Sequence, residues 1–200
     1  MRRLKRIGSR GGLVGLLLLI VAASAVAAPR LLRGHSQQQA RSEAISSRDS
    51  DRVRFDFLRR QHSNRCTMPA SALNAMAPSA RLQGSCCFPM DFRSYVNQVR
   101  DLKRYAAVAL IPKDPYDIPV SLGKRLIGYQ SIKLTAKQQR IYNRAKPLST
   151  TKGPCCCPCW RWTAFEGQAK YLISRRAYSA QQIAGVWSLE EGCGGPSHRS

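Results

Sequence analysis

Histidine and acidic side chains are scarce in this chain: His35, His62 and His198 are its three histidines, and Asp and Glu together number 11 in 200 residues. Acid–base catalysis near neutral pH draws on those side chains, so it has few candidates here. Nothing resembling G-x-S-x-G, H-E-x-x-H, a P-loop or a dinucleotide loop occurs, which removes the usual grounds for a hydrolase, a zinc protease or a nucleotide enzyme. Internal repeats are absent, and sustained alternation of apolar and polar residues is rare. A mainly α class is therefore expected. The deficit of acid leaves 33 Lys and Arg largely unopposed, for a formal net charge of +22. That balance favours anionic surroundings such as lipid head groups or acidic surface polymers. No aromatic-and-basic single-strand signature and no finger spacing appears, so no specific nucleic acid is expected as a partner.

Residues 1–28 do not read as part of a folded domain. Arg2, Arg3, Lys5, Arg6 and Arg10 precede a charge-free stretch from Gly11 to Ala28, which ends in the small residues Ala25-Val26-Ala27. This order is that of a secretory signal with an A-x-A cleavage pattern. The apolar stretch is also close to the ~17–25 residues that span a bilayer, so an uncleaved membrane anchor is the alternative. Basic residues are denser before the stretch than after it. The bulk of the chain is then expected outside the cytoplasm, secreted or anchored facing outward. From 29 to 50 the sequence is polar, without a hydrophobic period, and reads as a flexible tether. Residues 51–200 are expected to form one domain.

What the chain has in concentration is sulfur. Four of its 8 cysteines fall in the run Gly153-Pro154-Cys155-Cys156-Cys157-Pro158-Cys159-Trp160. Cys155, Cys157 and Cys159 occupy alternate positions, and the prolines bias the residues before them toward extended backbone, so their thiols are expected to leave on one side. Thiolates gathered without imidazole or carboxylate suit Cu(I), Zn or an iron–sulfur centre. Cys156, Cys193, Cys86 and Cys87 are the secondary ligand candidates. Cys156 and Cys159 form a C-x-x-C half-site for zinc, with Cys86, Cys87, Cys193 or His198 as distant completions. Cys66-x-Met68 and Cys86-Cys87-x-x-Met90 place thioethers beside thiols, a pairing compatible with Cu(I), although such methionines also serve as core fillers.

Export opens a second reading of the same cysteines. An even set in an oxidising compartment normally signals disulfides, and eight allow 105 pairings. Vicinal and i,i+2 pairs fit disulfide geometry poorly, so the run would need Cys66, Cys86, Cys87 and Cys193 as distant partners. The sequence leaves a disulfide-stabilised interaction module and a metal site both open. A third reading, thiol–disulfide exchange at Cys156-Cys157-Pro158-Cys159, lacks the apolar strand that precedes such a motif in thioredoxin-like proteins.

Helices are expected over 51–61, with Val53, Phe57 and Leu58 on one side, and from Asp91 to just before Pro112. In the latter, Phe92, Tyr95, Val96, Val99, Leu102, Ala106, Ala109 and Leu110 form an apolar stripe and Gln98 takes the opposite face. Residues 118–134 are compatible with a short strand or an irregular helix. Capping boxes at Thr135/Gln138, Thr163/Glu166 and Ser179/Gln182 should each start a helix. The cysteine run then lies in a loop between two helices. The glycines around Cys193 end the last helix, and the returning tail can bring that cysteine to the cluster.

The frame Pro154-Cys155-Cys156-Cys157-Pro158-Cys159 resembles that of the bacterial PCYCGC-motif proteins, a family of exported, often membrane-attached small proteins. Tyr142-Asn143-Arg144-Ala145 upstream, the helix holding Phe165 to Ile173 downstream and Ser179-Ala180-Gln181-Gln182-Ile183 are similar to the family's pattern. The resemblance covers roughly 134–187. It implies an extracytoplasmic thiolate site for a soft metal, with Cys155, Cys157 and Cys159 as the matching cysteines and no established reaction. The chain departs from the family in having Cys156 for tyrosine, Pro158 for glycine, no lipobox cysteine, and only Cys193 in place of the later cysteines. The sequence thus predicts a small helical, cysteine-rich binding domain behind a signal or anchor and a polar tether, holding Cu(I) or Zn.

Overall fold

The structure, a computed structural model, describes residues 28–195, and the candidate signal or anchor segment before them and His198 after them lie outside the described residues. The chain divides into two compact units, 1–49 and 50–200. The described part of the first unit is helical, belonging to a helix α1 that runs Ala28–Leu58. Residues 29–50, expected to be a flexible tether, fall within this helix. The backbone there is helical because Gln, Arg, Ala and Glu are good helix formers and no proline interrupts residues 30–58. Local pairs such as Gln39 Nε2 to Glu43 Oε1 at 3.4 Å add to this, while side chains 39–50 stay exposed. Among the described residues no helix is long and apolar enough to cross a membrane.

The second unit is mainly α. The end of α1 turns Phe55 and Leu58 inward and leaves Val53 and Phe57 exposed, so the buried face is set by spacing three rather than by the expected grouping. Phe55 and Leu58 join Tyr95 and Tyr116 in a small aromatic cluster. A 3-10 turn at Ala70–Ala75 follows. Strands β1 (Arg81–Gln83) and β2 (Asp117–Pro119) pair antiparallel, with Leu82 opposite Ile118. Asp117, nearly fully buried, binds them to α1: it accepts from Arg81 Nε at 2.5 Å and Gln83 Nε2 at 3.1 Å and pairs with Arg54.

Helix α2 is Phe92–Leu102, capped by Asp91, whose carboxylate accepts from Ser94 N at 2.8 Å. It stops well short of Pro112, passing into a 3-10 turn at Lys103–Tyr105. Gln98, expected on the polar face, is buried, because the amide finds partners inside: it donates to Glu191 O at 2.7 Å and accepts from Tyr116 Oη at 3.2 Å. Helix α3, Val120–Gly128, continues directly from β2, so the undecided 118–134 region contains both a short strand and a helix.

Helices α4 (Ala136–Leu148) and α6 (Ala180–Glu190) begin at complete capping boxes, Thr135/Gln138 and Ser179/Gln182. Helix α5, Trp160–Arg176, does not start at Thr163 as its box would have it. Tertiary contacts extend it one turn back: Trp160 N donates to Met68 O at 2.9 Å and its indole Nε1 to Asn64 Oδ1 at 3.0 Å. The main core gathers Leu82, Ile118, Leu126, Trp160, Phe165, Leu172, Ile183 and Trp187 from β1, β2, α3, α5 and α6. Trp187 edges onto Tyr142 of α4 at 5.6 Å. Truncating a buried leucine of this core, such as Leu172, costs on the order of 2–5 kcal/mol. The cysteines lie in four stretches outside these elements, which meet beside the N-terminus of α5.

Candidate metal centre

All eight cysteines are free thiols, brought together from four stretches of chain: Cys66 after α1, Cys86 and Cys87 after β1, Cys155–Cys159 before α5, and Cys193 after α6. Backbone hydrogen bonds set the approach. The 86–89 segment pairs with the tail: Cys86 N donates to Gly192 O at 3.0 Å, Cys87 N and Phe88 N to Cys193 O at 3.2 and 2.7 Å, and Gly195 N to Pro89 O at 2.8 Å. Gly194, at φ 78°, makes the turn this pairing needs, and a Cβ there would collide with Phe88 O. Asn64 stitches the Cys66 segment to β1, its N donating to Gln83 O at 3.1 Å and its Nδ2 to Gly84 O at 2.9 Å. Ser149 Oγ holds the loop before the cysteine run, accepting from Gly153 N at 2.9 Å and donating to Gly153 O at 3.2 Å.

The sulfurs form one connected network. Sγ–Sγ separations are 2.7 Å for Cys66–Cys157, 3.6 Å for Cys86–Cys87, 3.8 Å for Cys87–Cys156, 3.9 Å for Cys155–Cys159 and 4.0 Å for Cys155–Cys193. Three triads, Cys66/Cys87/Cys157, Cys86/Cys87/Cys193 and Cys155/Cys156/Cys157, each have their sulfurs within 4.8 Å of one another. The spacing carries chemical meaning. Two thiolates bound at about 2.3 Å to one tetrahedral ion lie about 3.8 Å apart. Four of the five separations fall near that edge length. These cysteine groups can therefore hold a metal ion. No histidine or carboxylate shares the triads, so the donor set is thiolate alone.

The network runs from closed to open. Cys155, Cys159 and Cys193 are buried, Cys66, Cys86 and Cys157 are half-buried, and Cys87 and Cys156 are exposed. Trp162 packs against the buried end. Beside the open end lies a cleft of about 580 Å³ lined by Arg59, His62, Asn64, Arg65 and the Cys86–Pro89 segment.

Crowding of thiols sets their acidity. Cys155 is pushed far down, because the thiols of Cys156, Cys159, Cys193 and Cys86 direct hydrogen bonds to its sulfur. Those donors are pushed up in turn, Cys86 chiefly by hydrogen bonding to Cys155 and Cys193, and Cys159 by its bond to Cys155 followed by burial. Cys66 rises through its contact with Cys157, then through burial. Hydrogen bonds from neighbouring S–H groups thus favour the thiolate form of Cys155. A bound ion is what would draw off the other protons.

The geometry redraws the sequence expectation in part. The 155–159 run is a series of bends rather than an extended strand. Cys155 and Cys159 face each other across one turn, while Cys157 meets Cys66; the three alternate thiols do not share one point. Cys156 and Cys159 of the C-x-x-C half-site also diverge, one exposed near Cys87 and the other buried beside Cys155. Cys86, Cys87 and Cys193 are all in the network. Cys66, read from sequence only as a disulfide partner or as half of C-x-M, is a full member. Met68 and Met90 instead pack on the main core and the aromatic cluster.

Two further residues were invisible in the sequence. Arg161 is fully buried beside the tail, its Nη1 donating to Glu190 O at 2.8 Å and its Nη2 to Pro115 O, and its positive charge acts to lower the Cys86 thiol. Gly192 lies directly on that guanidinium, and a Cβ there would collide with Arg161 Cζ. Glu190, also fully buried, is held by Gln168 Nε2, and burial pushes its carboxyl up to about 8. No family model, curated protein or solved structure matches this chain.

Proposed function

We propose that this chain is an extracytoplasmic, thiolate-rich protein that binds a soft metal, Cu(I), and serves in its storage, transfer or resistance. The observation that carries the reading is the convergence of eight cysteines, from segments as far apart as Cys66 and Cys193, with four of the five sulfur–sulfur contacts at the separations that ligands of one ion adopt. Cu(I) is preferred over Zn because it is satisfied by two or three thiolates, and the sulfurs here gather in threes. An iron–sulfur cluster is disfavoured because its own iron and sulfide stand between the cysteines and spread them. The exposed thiols beside the basic cleft provide the entrance for an ion, and the buried ones retain it. Export, secreted or anchored, rests on the basic-apolar-small order of residues 1–28. The likeness to PCYCGC-motif proteins points the same way. The high positive charge suits a station near anionic lipids or surface polymers.

Anaerobic purification of the full chain, followed by metal analysis and thiol titration, tests the proposal. Bound copper with thiols that become titratable only on chelation is expected. Cys66 and Cys157, with sulfurs 2.7 Å apart, favour a second reading in which the cysteines close into disulfides. No metal uptake and no free thiols under those conditions would leave that disulfide-stapled module in place of the metal site. Exchange activity that is lost on Cys156→Ser or Cys159→Ser would indicate an oxidoreductase instead.

A further inference from the structure

Resting on the metal-binding reading, we infer that the site takes a polynuclear, thiolate-bridged Cu(I) cluster rather than a single ion, with Cys87 and Cys157 as bridging ligands. An ion held by thiolates takes at most about four of them, and the network here contains all eight cysteines of the chain. A single-ion site would leave half of them gathered with no role. The alternative, two separate four-thiol sites, would show as two groups with a gap between them.

The triads show no such gap. They share corners: Cys87 belongs to both the Cys66 triad and the Cys193 triad, and Cys157 to both the Cys66 triad and the Cys155 triad. A ligand common to two ion positions is what a bridging thiolate is. The 3.8 Å contact between Cys87 and Cys156 closes the chain of triads on itself. Cys155 and Cys193, 4.0 Å apart, join its buried side.

Charge supports the same conclusion. Several thiolates around one Cu(I) would leave a large buried negative charge, whereas two or more monovalent ions sharing bridges offset more of it. The buried Arg161 guanidinium behind Cys86 helps with the remainder. Each thiol that coordinates releases its proton to solvent, so filling the cluster is balanced by proton release and needs no electron transfer.

The test uses the full, anaerobically reduced chain titrated with Cu(I) supplied as its acetonitrile complex. Metal per chain is measured after desalting, populations are followed by native mass spectrometry, and copper neighbours by X-ray absorption. Expected are at least two copper ions per chain, copper–copper scattering, and little of the one-copper species on the way. Cys87→Ser and Cys157→Ser should each weaken the copper–copper signal and lower uptake by about one ion, because each leaves the other bridge in place, and the double variant should abolish the signal. Cys159→Ser, which removes a sulfur that meets Cys155, should retain that signal with weaker binding. Far-UV circular dichroism of each variant confirms that the helices persist. One copper per chain without copper–copper scattering would overturn the polynuclear inference while leaving the metal site standing. No copper uptake at all would overturn both.

Discussion

Glu190 offers the sharpest quantitative check on the arrangement around the cysteine tail. It closes α6, is fully buried, and leaves Oε2 without a partner, while burial raises its carboxyl from 4.5 to about 8. The folded protein therefore holds a proton that the unfolded chain gives up above about pH 4.5. Between the two values the folded state binds more protons, so stability falls as pH rises across that window and levels off above it. At about 1.4 kcal/mol per unit, the full shift corresponds to on the order of 5 kcal/mol, an upper figure because ionisation draws water toward the group. Glu190→Gln keeps the acceptor that Gln168 uses and mimics the protonated state. Thermal melts of reduced, metal-free protein should then show the variant near wild type at pH 5 and more stable by at least about 2 kcal/mol at pH 9, roughly 4–8 °C. The cysteine titrations are common to both proteins and cancel in the difference. Parallel pH profiles for wild type and variant would show that Glu190 carries no extra proton in the folded state.

Gly192→Ala pushes a methyl group into the Arg161 guanidinium, so it should destabilise by about 1–3 kcal/mol in chemical denaturation and displace Cys193, lowering copper uptake relative to wild type. Copper affinity should fall as pH drops, because the thiols of Cys66, Cys86, Cys159 and Cys193 are all pushed up and must lose their protons to bind. Competition with a Cu(I) chelator at pH 5 and pH 8 measures this, and equal affinity at both would count against thiolate ligation.

What could be read from sequence was what is decided locally. The boxes at Thr135 and Ser179 start helices because hydroxyl, amide and backbone within one turn satisfy each other. The box at Thr163 was overruled by a distant contact, the bond from Trp160 N to Met68 O. The polar residues 28–50 lack an apolar stripe, yet periodicity reports only a packed face, and backbone propensity is enough for a helix with exposed sides. Gln98 and Arg161 are buried against their type because carbonyls of the tail and of Pro115 receive them. For the site, the density of cysteines at 155–159 was informative, whereas the partnership of Cys66 with Cys157 spans 91 residues and has no local trace.

The position of the sulfur network relative to the core bears on why the cysteines are there. Small exported domains use cysteines as staples when their apolar core is too small to hold the fold. Here the main core is built from Leu, Ile, Val, Phe and Trp side chains of β1, β2, α3, α5 and α6, and contains no cysteine. The buried thiols form a cluster of their own, with Trp162 as its aromatic cover. A staple would be expected to bridge helices of that core, yet all eight cysteines instead lie in loops that contact one another, held by backbone pairing between the 86–89 segment and the tail and by Asn64. The fold thus gains little packing from gathering its sulfur, and it bears the cost of crowding groups whose protons are hard to remove. An ion that pairs with several thiolates at once offsets that cost, and loops rather than core helices are what must reorganise when it enters or leaves.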